Sequence, residues 1–285
     1  MNEEIAFGRI RFAVSNLGAE LQSLQFDGIE YLWQGDPSVW KGRAPILFPL
    51  AGRIRGDKFL HHGKEFSIPK HGFARQSFFS TVEKTDRKMV LALESSAETL
   101  ALWPFRFRLN LIFETDGLSF TCSAEIRNLD SEPMSFGFGF HPGFQMPGFP
   151  EKPWQIRFEK SENIVPFRLK DGLLDPVPDD SARLMDNLKL DPATFLRDVL
   201  LFKDLQSRRI MLESPGFTKR LVFAWTGCPH LGIWAKPSAP YVCLEPWIGH
   251  DDTPEADSDL SRKPQLDRLE PGAIRSASWR AGVES

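Results

Sequence analysis

Residues 134–144 read MSFGFGFHPGF. In a β-strand successive side chains point to opposite faces, which puts Met134, Phe136, Phe138 and Phe140 on one side and Ser135, Gly137, Gly139 and His141 on the other. One face is strongly apolar and the other nearly bare. Glycine weakens a strand interior and marks places where another group approaches the backbone. The pattern therefore predicts a strand anchored in a core by its phenylalanines, with His141 overlooking a cavity floored by Ser135, Gly137 and Gly139. The alternative is a second layer packed over the glycines, with His141 a satisfied, half-buried side chain.

Working outward, the same alternation recurs. Phe105, Phe107, Leu109, Leu111 and Phe113 alternate with Arg106, Arg108, Asn110, Ile112 and Glu114. Asp116-Gly117 turns the chain, and Leu118, Phe120, Cys122, Ala124 and Ile126 continue the apolar face, predicting a long antiparallel hairpin buried on one side. Toward the N-terminus, strands are expected over 5–14 and 18–26. Asp27-Gly28 then signals a type I′ hairpin turn into 29–33. Residues 36–57, rich in Pro, Gly and Arg, read as a long loop across a surface, and loops of that length are usually functional. Further strands are expected over 64–68, 71–75, 78–84 and 89–94, then a single helical turn near 97–102. Beyond residue 144, strands are expected over 154–158, 199–202, 209–213, 217–225, 231–235, 241–248 and 273–282. Residues 166–198 are turn-rich and 251–263 an acidic surface loop. With no linker-like stretch and no fixed-period repeat, the expectation is one domain over 1–285, an all-β, large antiparallel β-sandwich.

Composition narrows the function classes. The 285 residues are 41% hydrophobic and 26% charged with a formal net charge of −3, ordinary globular usage without a basic stripe for nucleic acid. There are 24 Phe and 8 Trp against 2 Tyr, a bias suited to a β-rich interior and to flat ligand-binding surfaces. No apolar run resembles a signal peptide or a membrane span, which predicts a soluble cytoplasmic protein with no membrane partner. The three cysteines, Cys122, Cys228 and Cys243, form no CxxC pair and predict neither a zinc knuckle nor a disulfide framework.

Several side chains stand out chemically. In YVCLEPWI (241–248), Glu245 shares a face with Tyr241, Cys243 and Trp247 in a strand that otherwise reads as buried. A carboxylate there is paired, protonated or facing a polar cavity, and desolvation would raise its pKa toward that of a useful base. The alternative is a structural salt bridge to an arginine. His71, in IPKHGFAR, lies at a loop-to-strand junction, and Arg53, in AGRIRGD, lies in the long loop. Trp247 offers an apolar face beside Glu245. His61, His62, His230 and His250 have no supporting pattern. Two histidines and a glutamate on a β-scaffold admit either an acid and base pair across a ligand or a divalent-metal site. The absence of an HxH spacing argues weakly against the metal.

Taken in order, GAELQSL, PILFPLAGRI, HGFAR, GFGFHPGF, RDVLLFKDLQS, LGIWAKPSAPYVCLEPWIG and LEPG run from Gly18 to Gly272. This set resembles the aldose 1-epimerase (galactose mutarotase) family, specifically its shorter aldose 1-epimerase-like subgroup. The resemblance implies a mutarotase-like β-sandwich that needs no cofactor and no metal. It implies a small-molecule sugar as the partner and a monomer or homodimer. It also implies roles: His141 donates a proton to the sugar ring oxygen, and Glu245 removes the proton of the anomeric hydroxyl. His71 hydrogen-bonds near the ring oxygen, while Arg53 and Asp198 bind substrate. Opening a hemiacetal needs an acid and a base together, so the residue types suit the chemistry. The chain departs from full-length mutarotases in going from the histidine motif directly to GFQMPGFP, which leaves the sugar open. The basic residues Lys41, Arg43, Arg53, Arg55, Lys70 and Arg75 flank the expected pocket in sequence. They admit a hexose phosphate as the alternative to solvated loop charges. A non-catalytic sugar-binding protein on the same fold is the further alternative.

Overall fold

A computed structural model describes residues 2–180 and 186–284. Among the described residues, a nine-stranded antiparallel sheet runs in the order 187–190, 154–158, 209–213, 220–226, 274–284, 119–128, 107–115, 88–94 and 80–84. Its centre is the expected hairpin, with Leu109 opposite Ile126, Leu111 opposite Ala124 and Phe113 opposite Cys122. All six are buried. A second antiparallel sheet runs 200–202, 230–234, 241–248, 138–140 and 46–47, with 143–145 also paired to 241–248. The inner faces of the two sheets meet in one aromatic core. Phe144 packs edge-on to Phe223 and Trp279 at 5.7 and 6.0 Å between ring centroids, and Phe48 reaches Phe107 at 4.8 Å. The all-β sandwich expected from alternation is the fold found.

The N-terminal strands form a four-stranded meander, 2–7, 10–15, 21–26 and 29–30. Asp27 and Gly28 both have positive φ, 53° and 76°, the backbone a type I′ turn requires. The expected strand over 5–14 is in fact two, because the chain turns at Gly8. The helical turn is present as Ala97–Leu102, capped at its start by Ser96. Within the turn-rich 166–198, the structure shows a hairpin of 169–170 with 173–174. The part of that segment at 181–185 lies outside the described residues.

Three further expectations are corrected. Residues 36–57 are a surface loop only at their two ends: Ala44, Ile46, Leu47, Phe48, Leu50, Ala51 and Ile54 are buried, and 46–47 is the edge strand of the second sheet. Frequent prolines and glycines conceal an apolar segment that pairs for only two residues. HGFAR is not a strand either: His71 takes a left-handed φ of 68° and Ala74–Gln76 a 3₁₀ turn. The third concerns the opening stretch. It breaks into 134–136, 138–140 and 143–145, paired to different strands. The phenylalanines are buried as expected. The bare face, however, is filled by protein. A methyl at Gly139 would lie 2.6 Å from Trp247 Cδ1, one at Gly143 3.0 Å from Trp40 Cζ3, and one at Gly137 3.0 Å from the Ala51 nitrogen. The glycines seat tryptophans and backbone rather than flooring a ligand cavity.

A buried ionic clamp fixes the loop that carries Arg53. The Lys263 ammonium lies 2.6 Å from Asp252 Oδ2, with both side chains buried, so 251–263 is not wholly the surface loop expected, Asp251 and Leu260 being buried as well. That oxygen also accepts from the Arg55 N–H at 2.9 Å, and Gln265 donates to Oδ1. Removing one member strands a buried charge. Asp252→Asn and Lys263→Met are each expected to lower unfolding free energy in urea by about 3–5 kcal/mol. The apolar pair Asp252→Leu/Lys263→Met is expected to cost less than the sum of the single changes.

Candidate active site

The Tyr241–Ile248 strand is buried at every position, and its two faces separate the roles. Val242 stands opposite Phe144, on the face that meets the nine-stranded sheet. The alternate face carries Tyr241, Cys243, Glu245 and Trp247. On one side this strand pairs with His230–Trp234, Glu245 opposite Gly232. On the other, the partner chain leaves the ladder between Phe140 and Gly143, so that only the Leu244 N–H to Pro142 carbonyl bond (3.1 Å) is made there. Pro246 has no N–H to offer on that side, which makes the interruption inexpensive. The departing segment carries His141.

His141 Nε2 lies 3.2 Å from Glu245 Oε2. Both residues line a cavity of about 490 Å³, together with His71, Asp198 and Trp247, a size within the ~300–1,000 Å³ usual for small-molecule sites. Five of the six residues singled out in the sequence are thus brought together. Arg53 is not among the lining residues: its guanidinium pairs with Asp57 at 3.1 Å and its backbone N–H donates to Asp251 Oδ1 at 2.9 Å. Of the six basic residues considered, Lys70 and Arg75 reach the cavity, and Lys236 joins them. Sequence reading missed the aromatic wall. Trp40 stacks on Tyr241 (5.2 Å between centroids, 20°) and lies 5.3 Å from the His141 ring, with Trp234 edge-on at 5.5 Å. The tryptophan-rich composition was the available signal, but nothing in the spacing joined residue 40 to residue 234.

Burial governs the electrostatics. Desolvation pushes Glu245 well above the usual carboxylate range, Asp198 and Asp251 add to the rise, and Lys70 opposes it. Desolvation also pulls His141 down to about 3. Burial thus disfavours the charged form of both partners. His71 is fixed differently. Its Nδ1 accepts the Gly52 N–H at 3.0 Å, and its own N–H donates to the Gly52 carbonyl at 2.7 Å. This reciprocal pair holds the left-handed backbone of His71 and leaves the hydrogen on Nε2. Burial pulls His71 well below the ordinary histidine value, so it is a neutral donor. Asp251, fully buried behind this contact, is raised to about 6 by desolvation. Asp198 is exposed at the rim, its Oδ1 accepting from the Val199 N–H at 2.8 Å.

Two groups among the described residues bring metal-type ligand atoms within 4.8 Å of one another: His141 with Cys243 and Glu245, and His61 with His62 and Glu132. In the first, burial raises the Cys243 thiol well above its ordinary pKa.

The second sheet of a β-sandwich thus carries a cavity with aromatic walls and a buried histidine–carboxyl pair. The aldose 1-epimerase family profile matches residues 4–252, and the chain belongs to that family. It is 32% identical to the LacX protein of Lactococcus lactis over 271 residues, 90% of each chain. Among solved structures it resembles a galactose mutarotase related enzyme from Lactobacillus acidophilus, with a TM-score of 0.91, 28% identity, and coverage of 100% of this chain and 98% of that one. A galactose mutarotase-like protein from Lactobacillus casei gives 0.92 at 25% identity, covering 100% of both chains. No helix among the described residues is long and apolar enough to cross a membrane.

Because Trp247 rests on the bare Gly139 backbone, Gly139→Ala is expected to displace the indole. It is expected to cost about 1–3 kcal/mol of stability and to weaken ligand binding, measured by denaturation and by calorimetry with a monosaccharide.

Proposed function

We propose that the protein interconverts the α and β anomers of a hexose or related aldose by acid and base catalysed ring opening. The observation that carries this reading is the His141–Glu245 contact at 3.2 Å, buried on the cavity wall. A pyranose presents its ring oxygen and its anomeric hydroxyl on adjacent bonds of one carbon, so two groups this close can each serve one oxygen. With the shared proton on His141 and the charge on Glu245, the imidazolium donates to the ring oxygen while the carboxylate takes the hydroxyl proton. The ring opens to the aldehyde, the C1–C2 bond rotates, and closure on the other face returns both protons. Lys70 favours the carboxylate form of Glu245 and disfavours the imidazolium of His141. His71 offers its Nε2 hydrogen near the ring oxygen. Asp198 on the rim and the faces of Trp40 and Trp247 position the sugar, the indoles supplying flat apolar contact for its C–H face. Arg53 would act on substrate only after leaving Asp57. Its present use is to position the loop behind His71.

Polarimetry of freshly dissolved α-glucose and α-galactose tests the assignment. Glu245→Gln and His141→Asn are each expected to lower kcat/KM by about 10²- to 10⁴-fold, and Asp198→Asn to act chiefly through KM. Wild-type protein that does not exceed buffer on any aldose would overturn the reading, and saturable sugar binding without turnover would mark a binding protein instead.

The pH profile follows from the one-proton pair. Below the depressed pKa of His141, about 3, both groups are protonated and the base is lost. Above the raised pKa of Glu245, neither holds a proton and the acid is lost. We expect kcat/KM to be level from above the His141 value of about 3 through the ordinary carboxylate range, and to fall only at the raised pKa of Glu245. A fall through the ordinary carboxylate range near ~4.3 would contradict the burial of Glu245.

A further inference from the structure

The charges on the cavity wall do not balance for a neutral ligand. Lys70, Arg75 and Lys236 all line it, and among the described residues none of the three forms an ion pair with a carboxylate. The one hydrogen bond made by the Arg75 guanidinium runs to the Lys70 carbonyl, 3.0 Å away. Burial draws Arg75 below its ordinary value. The acidic side of the wall is Asp198 and Glu245. Asp198 already accepts from the Val199 N–H, and burial disfavours the charged form of Glu245. Seating a neutral sugar here would dehydrate cations without compensating them, whereas an anionic group would meet them with charge-assisted hydrogen bonds.

The placement of these cations says where on the sugar the charge sits. Lys70 immediately precedes His71, and the Arg75 bond to the Lys70 carbonyl closes the His71–Arg75 turn over it. The ring oxygen is bonded to C1 and to C5. With the C1 hydroxyl at Glu245, the substituent on C5 lies beyond the ring oxygen, on the His71 side. We infer that the substrate is an aldose carrying an anionic group, phosphate or carboxylate, on the exocyclic carbon next to the ring oxygen, held by Lys70 and Arg75 with Lys236 at the mouth. This inference rests on the anomer-interconverting reading for its orientation, but the charge preference itself does not require turnover.

The test compares α-glucose, α-glucose 6-phosphate and α-glucuronate, each rate measured above that of buffer by NMR exchange. One anionic sugar is expected to exceed glucose in kcat/KM by about tenfold or more, the loss of one charged hydrogen bond being worth roughly that factor. The advantage is expected to shrink between roughly 0.02 and 0.5 M NaCl as the charges are screened. The phosphate and carboxylate arms identify the group. In Lys70→Gln and in Arg75→Gln, the ratio of anionic to neutral kcat/KM should fall about tenfold. The ratio is read within each variant, so a general loss of activity does not mimic the effect. Calorimetric titration of the wild-type protein with glucose 6-phosphate, glucuronate and glucose reads the same preference without catalysis. If no sugar is turned over yet an anionic sugar binds more tightly than glucose, the epimerase reading fails and the charge assignment stands. Equal handling and equal binding of glucose and both anionic sugars, or ratios unmoved by both substitutions, would overturn it.

Discussion

Glu245 is a carboxyl group in the middle of a strand buried along its whole length, and the surrounding architecture answers to that. An isolated charge there is strongly disfavoured by burial, as it is on the neighbouring imidazole, with Lys70 the largest influence favouring ionisation of the carboxyl. His141 can approach only because the neighbouring chain leaves the ladder opposite Pro246. The strand therefore has a gap in its hydrogen bonding where His141 and Glu245 meet. Gly139 and Gly143 then let Trp247 and Trp40 lie against the backbone on either side of that gap.

Behind the site, bonds run from the buried Lys263–Asp252 pair to the loop that carries Arg53. Asp252 and Asp251 take the N–H groups of Arg55 and Arg53, and Gly52 exchanges two hydrogen bonds with His71. Gly52 can only be glycine here, since a methyl would lie 2.5 Å from the Asp251 nitrogen. Each bond is modest alone, but together they over-determine one imidazole, its tautomer and its left-handed backbone. A donor held in this way needs no reorganisation when a ligand arrives.

Much of this was legible in the chain. Period-2 alternation found the central hairpin, the burial of the phenylalanines at 136, 138 and 140, and the two faces of 241–248, because half-buried strands impose that period locally. Asp27-Gly28 gave its turn, since few residue pairs tolerate two positive φ angles. What failed were features set by distant partners. The apolar run inside 36–57 looks like a loop until Gly139 and Phe140 are there to pair with Leu47 and Ile46. The glycines of 137–143 look like room for a ligand until the tryptophans that occupy that room are known.

By itself, then, the sequence determined the all-β character, the aromatic core and the chemical types at the site, His71, His141, Asp198, Glu245 and Trp247. These follow from local alternation and from the ordered motifs. Only the tertiary structure decided that Arg53 turns to Asp57 while Lys70, Arg75 and Lys236 face the cavity. It likewise decided that burial disfavours the charged forms of both His141 and Glu245. Both outcomes depend on which groups are desolvated and which find a counter-charge, and those quantities exist only once segments far apart in the chain are packed against one another.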